Sequence, residues 1–137
     1  MDEALETVLV RLATGLQRRL AGHARRQGIR WSALMALGDL RAHGPLSQRQ
    51  LAEREGVTPA TISLLVRELR AEGLVDETAD PHDARRRRLR LTRAGAGRLE
   101  HDLERLSGAL ADLPLSFSGG ERRALAAALP VLLRELG

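Results

Sequence analysis

The sequence has no cysteine, no tyrosine and no lysine, and its aromatic residues are Trp31 and Phe117. Without thiols the chain cannot form disulfides, sense oxidants through cysteine or bind zinc through sulfur. No apolar run approaches the ~20 residues that span a bilayer, and the acidic start "MDEALETVLV" is unlike a signal peptide. We therefore expect a cytoplasmic protein that makes no membrane contacts.

The sequence also lacks the patterns that mark common enzymes and metal proteins. It contains no G-x-S-x-G motif, no phosphate-binding loop and no supported pair of histidine and carboxylate. The histidines are far apart in the sequence. His101 has Asp102 and Glu104 nearby, but neither lies four residues away, the spacing at which two ligands would share a helix face. We therefore predict no enzymatic activity, no metal site and no cofactor; the histidines are His23, His43, His82 and His101.

Length and composition predict one globular domain covering 1–137, because 43% of the residues are apolar and 29% are charged. All 22 basic residues are arginine, although the net charge is only +4. The planar guanidinium group suits phosphate and guanine edges better than the ammonium group of lysine. A GC-rich coding sequence would also explain the missing lysine, so the argument rests on where the arginines lie.

The apolar spacing predicts two helices before the middle of the chain. Leucines recurring every three or four residues place the first helix over 5–20, with a break at 22–28. The second helix covers Trp31 to Leu40, begins at Ser32 or a neighbour, and ends at "HGP" before Pro45.

Two short helices follow, each with a recognisable start. Ser47 and Gln50 have the spacing of a capping box, and Gly56 ends the first of these helices. Thr58 is placed to cap the second, and Pro59 occupies its first position, where a missing N–H costs nothing. This pair is typical of a helix-turn-helix.

The segments "LVDETAD" and "RLRLT" alternate in polarity and flank residues 80–85, which predicts a two-stranded hairpin. Leu89 and Leu91 would face inward, while Arg88 and Arg90 would face solvent. A helix beginning at Thr92 and, after a break at "LPLSFSGG", a final helix complete the chain. The predicted fold is mostly α with a small β-hairpin: a winged helix-turn-helix lobe over 30–93, a wing at about 74–92, and helical extensions at 1–22 and 98–137.

The second short helix has one apolar stripe for the core and an outer face of short side chains with a single long cation. Short side chains let a helix enter the major groove closely, and Arg67 can contact phosphate or guanine. Leu64 either touches a thymine methyl group or is an ordinary exposed leucine. Ser47 satisfies backbone donors as a cap and also leaves a helix start free for a phosphate. The predicted DNA-facing residues are Ser47, Thr58, Pro59, Ala60, Thr61, Ser63, Leu64 and Arg67.

Four consecutive arginines lie in the hairpin segment "DPHDARRRRLRLT". A narrow minor groove attracts arginine, so we predict that Arg85, Arg86 and Arg87, near the hairpin tip, contact DNA there. Asp83 can hold a guanidinium group in place through a charge-assisted hydrogen bond. The alternative, a solvated edge that protects the strand from aggregation, suits Arg88 and Arg90 better.

These segments resemble the MarR family (multiple antibiotic resistance regulators) of bacterial and archaeal transcription factors, over essentially the whole chain. "LSQRQLAEREGVTPATISLLVRELRAEGLV" at 46–75 resembles the family's helix-turn-helix, and "DPHDARRRRLRLT" followed by "RAG" resembles its wing pattern, D-x-R and then L-x-L-T-x-x-G. The resemblance implies that Arg85, within a residue or two, enters the minor groove and that Asp83 orients it. It also implies a regulator, a repressor by our expectation, that binds double-stranded DNA at a pseudo-palindromic operator with half-sites about 10 base pairs apart.

The resemblance further implies an obligate homodimer through the first and the last two helices. The terminal leucine stripes agree, because their own chain has too little protein to cover them. The predicted dimer contacts are Leu5, Leu9, Leu12, Leu125, Leu129, Leu132 and Leu136.

Many members of the family are released from DNA by small aromatic or phenolic anions bound between the dimer region and the DNA lobe. The residues here that suit such an effector pocket are His23, Arg26, Trp31 and Met35, together with Arg11. Trp31 is better suited to anchor the core, and the arginines are better suited to lie in solvent. A rival to DNA binding remains, in which the winged helix contacts another protein.

Overall fold

The computed structural model describes residues 3–111 and 116–136. The predicted order of helices and hairpin is confirmed. The elements are α1 (Leu5–Arg26), α2 (Trp31–His43), α3 (Gln48–Glu55), α4 (Pro59–Ala71), β1 (Val75–Ala79), β2 (Arg87–Leu91), α5 (Arg93–Ala111) and α6 (Gly119–Leu136). The predicted break at "LPLSFSGG" lies partly outside the described residues. Within them, no helix combines the length and the apolar character needed to cross a membrane.

The core lies where α2, α3, α4, α5 and the hairpin meet. The predicted inward stripe of α4 is confirmed, since Ile62, Leu65, Val66 and Leu69 are all buried. Each fully buried aliphatic side chain contributes roughly 1.5–3 kcal/mol of transfer free energy. The largest fully buried side chains are Leu34, Leu37, Leu51, Ile62, Leu69, Leu89 and Leu99, so every element of the lobe supplies at least one except β1.

The predicted end of α1 is wrong, and the predicted start of α2, at Ser32 or a neighbour, falls on the neighbour Trp31. α1 continues to Arg26, with Gly22 inside the helix, and the chain turns only at Gly28, whose φ is +71°. One interior glycine costs a helix roughly 1 kcal/mol, which a long apolar stripe readily offsets. α2 begins at Trp31 with Arg30 at its N-cap, and no side chain caps it. Ser32 therefore lies inside the helix and does not start it.

The caps predicted for α3 and α4 are confirmed. The Ser47 hydroxyl accepts a hydrogen bond from the Gln50 backbone N–H at 3.1 Å, and the Gln50 side-chain oxygen accepts one from the Ser47 N–H at 2.9 Å. The Thr58 hydroxyl accepts the Thr61 backbone N–H at 3.2 Å, with Pro59 at the first helical position. Local chemistry thus sets where the two helices of the helix-turn-helix begin.

The wing is an antiparallel hairpin in which Val75 pairs with Leu91 and Ala79 with Arg87. Leu89 is buried, as predicted, and Leu91 is half-buried. Leu46 adds a one-residue third strand, because its N–H and carbonyl bond the carbonyl and N–H of Leu89 at 3.1 and 2.6 Å. This bridge, which the sequence analysis did not predict, joins the start of the helix-turn-helix to the wing.

The junction between the wing and α5 explains the spacing of Thr92 and Gly95. The Thr92 hydroxyl donates to the Gly73 carbonyl at 2.6 Å and accepts the Gly95 N–H at 3.0 Å. A Cβ atom at Gly95 would overlap the Leu74 carbonyl, so only glycine lets α5 approach this closely. The junction therefore ties α5 to the end of α4 and to the wing.

Candidate nucleic-acid interface

The outward face of α4 carries most of the residues predicted to face DNA. Pro59, Ala60, Thr61, Leu64 and Arg67 are exposed on it, and Leu64 presents 55% of its surface to solvent. Ser63 is half-buried and borders a small cavity of about 220 Å³ that Arg67 also lines. The helix start therefore offers short side chains, and one long cation follows about two turns later.

The hydroxyl groups at the start of α4 are partly occupied by local bonds. Thr58 is exposed, and its hydroxyl lies 2.9 Å from that of Thr61, so one of the two donates to the other. Ser47, at the start of α3, is half-buried and takes part in its capping box. Each hydroxyl keeps further capacity to bond phosphate oxygens, because a hydroxyl carries one donor and two acceptor sites.

The wing tip is shaped by aspartates that bond backbone amides. Asp83 accepts the Arg85 backbone N–H at 3.0 Å through its carboxylate and the Arg86 N–H at 3.0 Å through its carbonyl. Its carboxylate also lies 3.7 Å from the Arg86 guanidinium. Asp83 is half-buried at the tip. Its carboxylate pairs with the guanidinium group of Arg86 and not with that of Arg85.

Asp80 organises the other side of the tip, which the sequence analysis missed. Its carboxylate accepts the His82 backbone N–H at 2.8 Å and the Arg88 guanidinium at 3.1 Å. The bond from His82, and then the charge of Arg88, hold the pKa of Asp80 below its ordinary value. Arg88 is therefore half-buried against the hairpin instead of facing solvent as predicted. The signal was the motif D-P-H, since an aspartate before a proline commonly bonds the amide two residues on.

The arginines of the lobe divide into two groups. Arg30, Arg70, Arg88 and Arg90 are each held by a carboxylate, with Arg70 reaching Glu77 at 3.3 Å and Arg90 reaching Asp76 at 3.0 Å. In the described part of the chain, no hydrogen bond or ion pair holds the guanidinium groups of Arg67, Arg85 and Arg87. Three free guanidinium groups therefore lie on the outer face of α4 and at the wing tip, and Arg93, exposed at the start of α5, has no such partner among the described residues either.

Comparison with known proteins matches residues 27–86 to the model of the MarR family. That segment contains α2, the helix-turn-helix and the wing tip. This part of the chain is similar to the MarR family.

Among the relatives of this chain is the HTH-type transcriptional repressor NicR of Pseudomonas putida, 37% identical over 87 residues. The match covers 63% of this chain and 54% of the relative, so it spans about half of that protein's length. A MarR family protein from Bacillus stearothermophilus has a TM-score of 0.74 and 27% identity, with 96% and 92% of the two chains covered. A MepR mutant of S. aureus bound to an oligodeoxyribonucleotide has a TM-score of 0.61 and 22% identity, with 99% and 100% covered.

The terminal helices of this chain leave their leucines uncovered. No described residue of α6 is buried, and Leu129 and Leu136 expose 47% and 81% of their surface. On α1, Leu5 and Leu12 expose 68% and 49%, whereas Leu9 is half-buried. Leu125 and Leu132 are also classed as exposed, so all the predicted dimer contacts except Leu9 lie open in the single chain.

The residues predicted to form an effector pocket do not all come together. Trp31 and Met35 line a cavity of about 620 Å³ bordered by α1, α2 and α3. His23 is half-buried on α1 and Arg26 is exposed at its end, and neither lines this cavity. Arg11 pairs with Glu3 at 2.7 Å. Trp31 also packs against the core, so its two suggested roles are compatible.

A group of titratable side chains that the sequence analysis missed borders the same cavity. Asp39 of α2 accepts hydrogen bonds from Glu55 and Arg54 of α3, and His43 lies 3.8 Å away. Burial, the hydrogen bond with Asp39 and the charge of Asp39 raise the pKa of Glu55 to about 8. Burial acts to raise the pKa of Asp39 too, but the bonds from Glu55 and Arg54 and the nearby positive charges lower it. One proton is therefore shared between two carboxyl groups.

Proposed function

We propose that this chain is a MarR-family protein, a sequence-specific DNA-binding transcriptional regulator that acts as a homodimer. In this proposal α4 enters the major groove and the wing arginines enter the adjacent minor groove. The observation that carries it is the distribution of partners. The guanidinium groups of Arg67, Arg85 and Arg87 have none within the described residues, while those of neighbouring arginines are held by carboxylates. Exposed, uncommitted guanidinium groups beside short side chains suit phosphate and base edges.

The similarity to known proteins supports a role in DNA binding and repression. The relative from Pseudomonas putida is named a transcriptional repressor, and the S. aureus MepR mutant has been solved with an oligodeoxyribonucleotide. We therefore propose repression by occupation of an operator.

The role of individual wing residues follows from the tip geometry. Arg86 is drawn toward Asp83, so Arg85 and Arg87 are the tip arginines whose guanidinium groups are free to reach DNA. Asp83 acts mainly by fixing the backbone at Arg85 and Arg86. We propose that Arg85 enters the minor groove and that Arg87 contacts the flanking phosphates, since a narrow groove attracts arginine most strongly.

A homodimer would cover the leucines of α1 and α6. α6 contains Pro130 in its interior and buries none of its described residues. An interior proline costs a helix roughly 3 kcal/mol, so a helix that buries no described residue against its own chain needs a partner surface. A two-fold axis would then present two copies of α4 and of the wing to one side of a duplex, which requires half-sites about 10 base pairs apart.

Release by a small molecule is part of the proposal, at the cavity beside Trp31 and Met35. Its volume of about 620 Å³ is within the range of small-molecule sites. Movement of α2 there would reach α3 directly, because both helices line the cavity.

The proposal is tested by the salt dependence of binding to a mixed-sequence DNA duplex. We expect log K to fall steeply with log salt, with a slope of about −0.9 for each phosphate that is neutralised. Replacing Arg85 and Arg87 with alanine should weaken binding and reduce the slope by about one for each lost phosphate contact. The matched control replaces Arg18 and Arg19, which are exposed on α1, and should leave the slope unchanged.

The same titration separates the regulator from a module that binds only proteins. A chain that retains no DNA at any salt concentration would support the protein-binding module and refute our proposal. An unchanged slope after loss of Arg85 and Arg87 would remove the wing from the interface while leaving α4 as the contact.

A further inference from the structure

Among the described residues, Leu64 is the only large apolar residue of α4 that lies open to solvent. It exposes 55% of its surface, whereas the large apolar residues of the inward stripe expose 9% or less. Singly exposed leucines are common on protein surfaces, so exposure alone indicates no function. A role for Leu64 must therefore follow from the residues around it.

Leu64 stands in the middle of the outer face of α4. At about 100° per residue, Ala60, Thr61 and Arg67 lie within about 60° of it around the helix, and all three are exposed. Ala60, one turn before Leu64, has a short side chain and leaves room for another surface to approach the leucine. Arg67 follows one turn later, and no described residue holds its guanidinium group by a hydrogen bond or an ion pair. Leu64 is therefore the neighbour of the free cation on the helix that we propose enters the major groove.

A negative charge close to Leu64 is balanced. Glu68 is four residues further along α4 and would repel a polyanion if it were unpaired. Its carboxylate accepts a hydrogen bond from the Arg30 guanidinium at 2.8 Å. Glu68 therefore brings no unpaired negative charge to this face of the helix.

The chemistry of leucine limits what it can recognise in a major groove. Its side chain has no hydrogen-bond donor or acceptor, so it cannot read the polar edge of a base. The bases present acceptors, amino donors and, at thymine, a methyl group on C5. Contact between that methyl group and an apolar side chain removes both from water, which is favourable. The same methyl group stands on the same carbon in 5-methylcytosine, so a C5-methylated pyrimidine is the base that fits Leu64.

We propose that Leu64 contacts the C5 methyl group of a pyrimidine, and that the chain therefore binds a site more tightly when thymine or 5-methylcytosine stands there. This inference rests on the proposed function, because it requires α4 to lie in the major groove. Leu64 and Arg67 are about 4.5 Å apart along the helix axis, and successive base pairs are about 3.4 Å apart. The two side chains can therefore reach neighbouring base pairs, which predicts a guanine beside the methylated pyrimidine if Arg67 reads guanine.

The contact is tested with deoxyuridine, which differs from thymidine only in lacking the methyl group. An operator is first obtained by binding selection from random duplexes, and each of its thymines is then replaced singly by deoxyuridine. We expect one replacement in each half-site to raise the Kd about fourfold, which is the effect of one buried methyl group. Replacement in both half-sites together should raise the Kd about fifteenfold, because distant contacts add in free energy.

The dependence on Leu64 is tested with variants of that residue. Leu64→Ala should bind the thymine and the deoxyuridine duplexes equally, because the side chain that contacts the methyl group is shortened. The matched control is Val57→Ala, which shortens another exposed apolar side chain, in the turn before α4, and should keep the fourfold loss. A loss that persists unchanged in Leu64→Ala, or no loss at any thymine in the wild type, would overturn the proposal.

The two methylated bases are distinguished with a second set of duplexes. At the position found with deoxyuridine, the pair of thymine and adenine is replaced by cytosine and guanine, with or without a methyl group on C5 of the cytosine. The wild-type chain should bind the methylated duplex about fourfold more tightly than the unmethylated one, and Leu64→Ala should bind both equally. Equal binding of both duplexes by the wild type would overturn the proposal for 5-methylcytosine.

The titrations separate this inference from the proposed function. A wild-type chain that binds no duplex at any salt concentration refutes the regulator, and the role of Leu64 falls with it. A wild-type chain that binds DNA with a steep salt dependence, but is indifferent to every C5 methyl group, refutes only the role of Leu64.

Discussion

The hydrogen-bonded carboxyl groups of Asp39 and Glu55 make the stability of the protein depend on pH in a defined direction. Because the folded chain raises the pKa of Glu55 from 4.5 to about 8, it holds a proton that the unfolded chain loses. The stabilisation is therefore complete below the unfolded pKa and is lost as the pH rises through the folded pKa. We expect the free energy of unfolding to fall between about pH 5 and pH 8.5.

The size of the effect follows from the shift and from the exposure of Glu55. At about 1.4 kcal/mol for each pKa unit, the full shift would correspond to about 5 kcal/mol. Glu55 is only partly buried, so solvent screening reduces this figure, and we expect about 1–2 kcal/mol. The lowered pKa of Asp39 has the opposite effect on the free energy of unfolding, which falls as the pH falls. This effect lies in a more acidic range, where the Asp39 carboxylate becomes protonated.

The assay is urea unfolding across this pH range. All samples have the same protein concentration, because the apparent stability of a dimer depends on concentration. Glu55→Gln cannot titrate but can still donate a hydrogen bond to Asp39, so its stability should vary much less with pH. Glu53→Gln, an exposed change on the same helix, should keep the wild-type dependence. If Glu55→Gln shows the same decline as the wild type, the shared proton is not its cause.

Three further changes test the packing and the interface. Leu129→Glu with Leu132→Glu should yield a monomer by light scattering, because two carboxylates would enter the proposed apolar contact. Leu64→Glu, on α4 and more exposed than either of these leucines, should keep the wild-type mass. Gly95→Ala should destabilise the fold by about 1–3 kcal/mol in urea unfolding, since the alanine Cβ would meet the Leu74 carbonyl. An unchanged urea midpoint would show that α5 shifts freely. Arg67→Ala should alter sequence preference in a binding selection by about 1–3 kcal/mol at one position if it reads guanine; uniform weakening would assign it to phosphate.

Much of the lobe was predictable because its signals are local. The caps at Ser47 and Thr58 and the apolar stripe of α4 depend on residues within a few positions of each other, and all of them are confirmed. The end of α1 was not predictable in this way. Gly22 is a helix breaker by propensity, but the surrounding helix outweighs the cost of one glycine.

Pairings between distant residues were beyond the sequence analysis. The bond from Arg30 to Glu68 joins residues 38 positions apart, and the Leu46 bridge to Leu89 crosses the whole helix-turn-helix. Side-chain pairings within the wing were not predictable either, although the paired residues are close in sequence. The motif indicated that an aspartate organises the arginines, but only the folded tip assigns Asp83 to Arg86 and Asp80 to Arg88.

By itself, the sequence determined the order of elements, the caps and which face of each helix is apolar, because neighbours in the chain settle those features. Tertiary structure alone decided which guanidinium groups are held by carboxylates and which remain free, and which side chains surround each cavity. The physical reason is that an arginine side chain is long and flexible, so its partner is whichever carboxylate the packing of other elements brings within reach.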